Sequence, residues 1–457
     1  MQIPKPFDGT RNGNNPIRGH TSTQQAPLVR IWIVSTSDPV PYIDRGQRLC
    51  RYGRLAAVMA EAGHEVRFWA SSFDHMTKKH RCSGPPACEP APSLRVELLE
   101  APSYPSNVSW RRIWHNRSLA RSFRRRAEEI AEKPDLVFTS IPCLEMAEAA
   151  TEYAQASNIP VVVDIEDIWP DLYLTAVPQF LVPLGRAVLW AEFRRARRLL
   201  QRATVVTAVS QTYLDWALKL ASRALGPQDG VYPLGFPEAV RPSREQLERE
   251  AGELRRRYGL ASDSFVAVYV GQFGECYDLE TVVAAARLLE RTSPQIHFLL
   301  AGTGDKEALL KELAQGLGNV TFTGWLDQAG IMPVLHLGQV GLAAYTRRAT
   351  QSLPFKPFEY MAASLPIISS LQGELAGLLA AGRIGLLYQA GNAASLADSV
   401  RILAGNKTAS SEMGRRAREI FLQRYETASI NSQYIRMLKT IPAANRSLPT
   451  HIKNNFR

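Results

Sequence analysis

The chain has 457 residues, of which 45% are hydrophobic, and a formal net charge of +11. This length exceeds what one ordinary hydrophobic core holds, so two domains are expected, and the apolar content is that of a globular protein. No apolar run reaches the roughly 20 residues that a membrane-spanning helix needs, which argues against an integral membrane protein.

The first 27 residues are polar and rich in Gly, Asn, Thr and Pro. They lack the apolar core of an export signal, so we expect a disordered tail at 1–27 and a cytoplasmic protein. The five cysteines are odd in number and scattered, which predicts reduced thiols. A Cys82–Cys88 disulfide stays open, and no zinc-ligand spacing accompanies that pair.

Strand and helix patterns then alternate through a first domain, which we place at 28–236. Val29–Ser35 reads as a strand, Arg48–Glu61 as a helix and Glu65–Ala70 as a second strand. This order predicts parallel strands joined by a right-handed crossover. Ligands bind beyond the carboxyl ends of such strands, so the segment Ser37–Gln47 is expected at the ligand edge.

Arginines crowd two helical segments of this domain. They are Arg111, Arg112, Arg117, Arg121, Arg124, Arg125 and Arg126 in one segment, and Arg194, Arg195, Arg197, Arg198 and Arg202 in the other. Interleaved aromatic and aliphatic residues make both segments suited to an anionic membrane surface, although solvated faces of packing helices fit the pattern equally well. No nucleic-acid recognition motif accompanies these charges, so no nucleic-acid partner is expected.

Acidic residues cluster where the predicted strand Pro160–Ile165 ends. They are Asp164, Glu166, Asp167 and Asp171. At a strand's carboxyl end they could bind ligand hydroxyl groups or assist a proton transfer. Asp is also a preferred helix N-cap, and for Asp171 we favour the capping role.

A second alternating series follows a charged, proline-containing linker and defines a second domain at 237–425. Three of its strands end in glycine-containing turns, Gly271-Gln272-Phe273-Gly274, Gly302-Thr303-Gly304 and Gly324-Trp325. Glycine allows backbone N–H groups to approach phosphate oxygens closely, and Trp325 could hold a base, although core packing of Trp325 is as good an interpretation. We predict two doubly wound α/β domains that meet across a cleft.

The stretch Ser352–Ser370 (SLPFKPFEYMAASLPIISS) combines a loop, a short helix and an apolar strand. Pro354 suits the first turn of a helix, and Lys356 and Glu359 lie three residues apart on one face. A helix N-terminus with an adjacent lysine could hold a phosphate, and Glu359 could accept hydrogen bonds from hydroxyl groups. From these residues alone, an exposed Lys–Glu pair on an amphipathic helix is the simpler interpretation.

From Val29 to about Ala428 the chain resembles the retaining glycosyltransferases of family 4, especially bacterial enzymes of O-antigen and surface-polysaccharide synthesis. The resemblance rests on Val270-Gly271-Gln272, on Leu300-Ala301-Gly302-Thr303-Gly304, on Phe322-Thr323-Gly324-Trp325, on the stretch Ser352–Ser370 and on Val163–Asp171 (VDIEDIWPD). It implies the GT-B architecture, with two Rossmann-like domains facing a cleft. It also implies a last helix, here 426–440, that crosses back to the first domain before a flexible tail at 441–457.

The resemblance also implies residue roles. Glu359 matches the second glutamate of the family's Glu-x7-Glu motif and should bind the ribose. Lys356 and the backbone from Leu353 onward should contact the diphosphate. Nucleotide-pocket roles fall to Gly271, Gln272, Gly302 and Trp325. Glu166 and Asp167 lie near the place where many members carry a His-Asp pair that contacts the donor or acceptor sugar.

Three departures from the family pattern stand out. Gln351 replaces the first glutamate of the motif; an amide still binds a hydroxyl but cannot act as a base. The usual Gly-Gly loop after the first strand is replaced by Tyr42-Ile43-Asp44-Arg45-Gly46, and the basic residue that often follows the Gly271 turn is missing. The phosphate charge would then be neutralised by Lys356, with Arg347, Arg348 or Arg45 as further candidates.

The sequence therefore predicts a retaining glycosyltransferase that uses a nucleotide sugar, with a UDP-sugar as the expected donor, and no cofactor or metal. The acceptor is expected to be a lipid-linked or polysaccharide sugar at the cytoplasmic membrane face. A non-hydrolysing nucleotide-sugar epimerase and a non-catalytic subunit that binds a nucleotide sugar are the alternatives.

Overall fold

The computed structural model describes residues 28–447 except 37, 45–46, 48, 76, 82–86, 107–108, 176 and 239–240. The expected disordered tail at 1–27, Arg45 and Cys82 lie outside the described residues. Two α/β units, each built on its own sheet, make up the described chain.

The first unit carries ten strands and seven α-helices. Its strands are β1 Arg30–Val34, β2 Glu65–Ser71, β3 Phe73–Asp74, β4 Lys79–His80, β5 Ala87–Ala91, β6 Leu94–Leu99, β7 Leu136–Ile141, β8 Val161–Ile165, β9 Val205–Ala208 and β10 Gly230–Val231. Its helices are α1 Arg51–Glu61, α2 Trp110–Glu129, α3 Leu144–Ala156, α4 Asp171–Leu174, α5 Val182–Val188, α6 Trp190–Arg202 and α7 Gln211–Ala221, with a 3₁₀ turn at Gln179–Leu181.

Eight of these strands form one sheet in the order β10-β9-β8-β7-β1-β2-β6-β5, parallel except for β5. Helices α2, α3, α6 and α7 cover one face, and α1 covers the other. The strands read as continuous apolar runs because both faces are buried. Strands β3 and β4 form a short antiparallel hairpin, and two residues in each strand are too few to show a periodic pattern.

The second unit has six strands, all parallel, in the order β13-β12-β11-β14-β15-β16. These are β11 Phe265–Val270, β12 Ile296–Ala301, β13 Val320–Gly324, β14 Val340–Ala343, β15 Ile367–Ser369 and β16 Gly385–Leu387. The helices are α8 Arg244–Arg257, α9 Leu279–Leu289, α10 Glu307–Leu313, α11 Gln328–Leu337, α12 Phe355–Ala362, α13 Glu374–Gly382, α14 Ala393–Gly405, α15 Lys407–Arg424 and α16 Thr427–Ser447. The strand order runs outward both ways from β11, which is the doubly wound Rossmann order.

The last helix, α16, returns to the first unit. Tyr434, Leu438 and Ile441 form an apolar stripe at helical spacing and pack in the core beside α1. This stripe carries the helix beyond residue 440 as far as Ser447, so residues 441–447 of the predicted flexible tail are helical. Pro442, which suggests a helix end in the sequence, lies inside α16.

Candidate functional site

The glycine turns of the second unit are packed against one another at the carboxyl ends of β11, β12 and β13. Gly271 and Gly302 have φ of +142° and +143°, and a Cβ on Gly302 would lie 1.8 Å from the Gly271 carbonyl oxygen. The Gly271 N–H donates to the Ala301 oxygen at 2.9 Å, and the Gly302 N–H donates to Gly324 at 2.9 Å. These two N–H groups are therefore engaged in backbone hydrogen bonds, and glycine is needed at both positions because the turns touch.

A cavity of about 460 Å³ opens over these turns. Its wall includes Gly271, Gln272, Gly302 and Trp325. Trp325 is 73% exposed, so core packing does not account for it. An indole with a free face at the rim of a polar cavity is suited to stack on a flat ring.

Lys356 approaches the Gly271 turn from α12 and is only 8% exposed. A Cβ on Gly271 would lie 1.9 Å from its Nζ, so the ammonium group occupies the space that a side chain at 271 would need. Nζ lies 4.3 Å from the ring centroid of Tyr277 and 5.0 Å from that of Tyr269. Burial lowers the pKa of Lys356 to about 8, against the opposing effect of the Glu359 charge.

Helix α12 presents this lysine because its opposite side is anchored in the core. Pro354 is the N-cap, and Phe358 and Met361 are fully buried. Glu359 is 5% exposed, so the interpretation of Lys356 and Glu359 as a surface ion pair is wrong. Leu353 packs into the same core just before the helix, which places the backbone of 353–355 beside the lysine.

Gln351 lies at the junction with the first unit. Its Oε1 atom is buried and has no hydrogen-bond partner among the described residues. The neighbouring Thr350 carbonyl accepts a hydrogen bond of 3.3 Å from the Tyr213 hydroxyl of α7. A buried amide oxygen without a donor is costly unless a ligand supplies one.

On the first unit's side of the cleft, Asp164 has a structural role. Its carboxylate is fully buried and accepts from Arg51 Nε at 2.7 Å and from the Tyr434 hydroxyl at 3.0 Å, among other donors. It therefore joins α1, β8 and α16, and it is not available to a ligand.

Asp171 does not cap a helix, contrary to expectation. Pro170 is the N-cap of α4, and Asp171 accepts instead from Trp216 Nε1 at 2.8 Å and from Arg186 at 2.9 Å. These two distant partners bind its carboxylate and outcompete the local capping bond.

Glu166 and Asp167 remain at the cleft, where burial raises the pKa of both carboxyl groups. The pKa of Asp167 rises to about 6, and burial together with the charge of Asp38 raises the pKa of Glu166 well above its usual value. Asp38 has a pKa of about 6, raised by burial, and accepts from the N–H groups of Tyr52 and Gly53 at 2.8 and 3.3 Å. Sequence reasoning missed Asp38, although it lies in the segment expected at the ligand edge.

The two sides meet at α7. The charge of Asp167 contributes to a raised pKa of Tyr213, the residue that donates to Thr350. Asp167 and Gln351 therefore belong to one cleft. The carboxylate of Glu374, a second residue that sequence reasoning missed, accepts hydrogen bonds from Ser352 and from the first turn of α7.

Two other basic residues of the second unit are engaged elsewhere. Arg347 donates through Nε to the Ala390 carbonyl at 3.0 Å. Lys306, which lies beside the Gly304 turn, is paired with Glu280 at 2.8 Å. Across the described residues, no three His, Cys, Asp or Glu side chains are grouped so as to hold a metal ion. The expectation of no metal stays a prediction.

Two facing Rossmann-like units with a cavity at the carboxyl edge of the second sheet define the GT-B class of proteins. Comparison with known families gives the same result. Residues 51–225 match the "Glycosyl transferase 4-like domain", and residues 264–406 match "Glycosyl transferases group 1". The chain belongs to the family 4 glycosyltransferases.

Three relatives illustrate the range of similarity. The protein named colanic acid biosynthesis glycosyl transferase WcaI, from Escherichia coli (strain K12), is 25% identical over 319 residues, 66% of this chain and 74% of WcaI. EpsD of Bacillus subtilis (strain 168) is 26% identical over 184 residues, which are 40% of this chain and 47% of EpsD. A crystal structure of HepE of Anabaena in complex with UDP has a TM-score of 0.62 at 17% identity, covering 90% of this chain and all of HepE.

Proposed function

We propose that the protein is a retaining glycosyltransferase that moves a sugar from a nucleotide sugar, with UDP-sugar as the donor class, to a lipid-linked or polysaccharide acceptor in bacterial surface-glycan synthesis. One observation carries the proposal: a buried ammonium group, Lys356 Nζ, lies against Gly271, and Gly271 lines the cavity that Trp325 borders. HepE, with the same fold, has been crystallised with UDP and with UDP-glucose, and the name of WcaI refers to colanic acid biosynthesis.

In this proposal the second unit binds the nucleotide. Trp325 stacks on the base, Glu359 accepts from the ribose hydroxyls, and Lys356 with the first turn of α12 faces the diphosphate. Transfer leaves negative charge on the departing diphosphate, and a lysine already desolvated stabilises that charge more strongly than one in water. The diphosphate charge is then neutralised by protein groups, which is why we propose chemistry without a metal.

The sugars would be oriented where the first unit meets Gln351 of the second unit. Gln351 offers an amide oxygen to a hydroxyl of the transferred sugar. Asp167 has a pKa of about 6, so its carboxylate is mostly ionised at neutral pH. Because this pKa lies close to neutral pH, the carboxylate is suited to accept a proton from an acceptor hydroxyl. Burial and the charge of Asp38 raise the pKa of Glu166 well above its usual value, so its carboxyl group is suited to donate a hydrogen bond when protonated.

Replacing Lys356 tests the assignment of the nucleotide site. Lys356→Met keeps the length and apolar stem of the side chain but removes the charge, so consumption of UDP-sugar should fall by roughly 100-fold or more. Lys311→Met is the matched control, because Lys311 pairs on the surface with Glu307 and should leave turnover unchanged. Equal turnover by the two variants would refute the site.

Product analysis separates the alternatives. An epimerase converts the nucleotide sugar without an acceptor, whereas a transferase gives UDP and a glycosylated acceptor. A non-catalytic subunit binds UDP tightly but shows no turnover with any member of a panel of lipid-linked and soluble glycans.

We also propose that an exposed surface of the first unit contacts an anionic membrane. It is formed by Trp110, Ile113 and Trp114 of α2 and by Phe180, Leu184, Val188 and Trp190 around α5, all at least 47% exposed. Arg111 and Arg194 lie over the rings of Trp110 and Trp190, at 5.6 and 5.1 Å. Aromatic side chains with adjacent cations are typical of membrane-surface segments. No helix of the described part of the chain is long and apolar enough to cross a bilayer.

The contacts of the arginines decide which substitutions to test. Arg124 is paired with Glu152 at 2.7 Å, and Arg126 with Glu129 at 3.0 Å, so the charges of these two arginines in the far half of α2 are already compensated. We expect the Trp110→Ser, Trp114→Ser variant to lose co-sedimentation with phosphatidylserine-containing vesicles, and the Arg124→Gln, Arg126→Gln control to retain it. The reverse result would contradict this surface.

A further inference from the structure

Glu374, the first residue of α13, connects the two units. Its Oε1 accepts from the Gln211 N–H at 3.2 Å, and its Oε2 accepts from the Thr212 N–H at 3.1 Å and the Thr212 hydroxyl at 3.0 Å. These donors form the first turn of α7 in the first unit. The same Oε2 accepts from the Ser352 hydroxyl at 2.9 Å, within the second unit.

This arrangement is physically favourable for the joint between the units. The first N–H groups of a helix have no partner within the helix and carry partial positive charge, so a carboxylate from another element is a good acceptor for them. Ser210 caps the same helix through the Tyr213 N–H and leaves the Gln211 and Thr212 N–H groups to Glu374. One charged group thus satisfies donors on both sides of the cleft.

The contact lies next to the donor site. Ser352 directly follows Gln351, and α12 with Lys356 and Glu359 begins three residues after Ser352. Tyr213, one residue after Thr212, donates to the Thr350 carbonyl. Residues 350–352 are therefore fixed to α7 at both ends, with the unpartnered Gln351 oxygen between the two attachments.

We propose that Glu374 is a positioning residue: with Tyr213 it clamps residues 350–352 against α7 and so sets where the transferred sugar lies relative to Glu166 and Asp167. The inference rests on the proposed function. A clamp of this kind acts on the sugar half of the donor, because the base, ribose and diphosphate contacts all lie within the second unit. It should therefore affect the transfer step more than the binding of UDP.

Glu374→Gln tests this clamp, since the amide keeps the size but presents NH₂ where a carboxylate oxygen accepted. We expect kcat for sugar transfer to fall at least tenfold while the Kd for UDP changes less than threefold. Hydrogen exchange at the Gln211 and Thr212 amides should become faster. Glu307→Gln is the matched control, because Glu307 is likewise the first residue of its helix but pairs only with Lys311 in its own unit among the described residues.

Thr212→Val supplies a milder second variant from the opposite unit, should Glu374→Gln fold poorly. It removes one donor to Oε2 and should also lower kcat, but by a smaller factor. The kcat of the double variant should be no lower than that of Glu374→Gln alone.

A kcat equal to that of Glu307→Gln, or a loss of UDP affinity as large as the loss of kcat, would overturn the positioning role. A wild-type protein that binds UDP but transfers nothing would instead overturn the proposed function, and the amide exchange alone would then decide whether Glu374 holds α7.

Discussion

The two sides of the cleft place chemistry at a sheet edge in different ways. In the second unit, the glycine turns and Trp325 each follow a strand directly, and the short range of these connections fixes where they lie. In the first unit, one acidic run is divided among separate tasks. Asp164 is buried in an ion pair, Asp171 binds Trp216, and only Glu166 and Asp167 stay at the cleft. A glycine turn thus has a local cause, whereas the role of a carboxylate is set by distant partners.

The first and largest effect we predict concerns Asp164 and Asp167. Asp164→Ala leaves the buried Arg51 guanidinium without its counter-ion, so the first unit should lose about 3–5 kcal/mol of stability. For a domain of this size that corresponds to a melting temperature lower by roughly 6–20 °C. The melting temperature in differential scanning calorimetry measures it.

Asp167→Ala is the contrasting variant. Its carboxylate is not part of that ion-pair network, so the melting temperature should change little while sugar transfer falls. If the two variants have the same melting temperature, the division of the acidic run into a structural half and a cleft half is wrong.

A second prediction concerns the two glycines of the other side. Gly302→Ala places a Cβ against backbone at positive φ, and the strain alone should cost roughly 1–3 kcal/mol. Gly271→Ala is strained at nearly the same positive φ, but its Cβ meets the end of a flexible lysine, which can move away. We therefore expect the first variant to lower the melting temperature more, and the second to lower UDP affinity more relative to its loss of stability. Identical ratios of lost affinity to lost stability would contradict the packing argument.

These differences explain which features the sequence reveals. The two doubly wound units, their cleft and the order of the glycine turns follow from periodicity and from the family resemblance, because strands buried on both faces and turns at strand ends leave local patterns. The contacts of Asp38 and Glu374 leave no local sequence pattern, because each carboxylate binds the N-terminus of a helix. In the case of Glu374 that helix belongs to the other unit. The edge strand β5 was missed because ACEPA contains a proline and no apolar alternation.

The burial of Lys356 is a further property that the sequence does not show. The pattern around Lys356 and Glu359 is that of an exposed pair, but both side chains are buried, and Lys356 lies against the Gly271 turn and Tyr277. Burial of a lysine side chain disfavours its charged, protonated form. Its pKa of about 8 brings a change of charge into an accessible pH range.

The smallest effect we predict follows from this pKa. Below pH 8 Lys356 is mostly protonated and attracts the diphosphate, whereas above pH 8 it becomes neutral, so affinity for UDP should fall as the pH rises. With a pKa of about 8, the protonated fraction changes from about nine-tenths at pH 7 to about one-tenth at pH 9, so Kd should weaken by about tenfold. The carboxyl groups of Asp38 and Asp167, with pKa values of about 6, have already ionised and contribute little over this range.

Isothermal titration calorimetry with UDP at pH 7, 8 and 9 measures this effect. The Lys356→Met variant serves as the control, since any ionisation of UDP itself affects both proteins equally and only the wild type should carry the additional loss. A wild-type affinity that parallels the variant across the three pH values would mean that Lys356 does not face the diphosphate. The nucleotide assignment of the second unit would then be no better founded than the sugar assignment of the first, because both would rest on burial and resemblance alone.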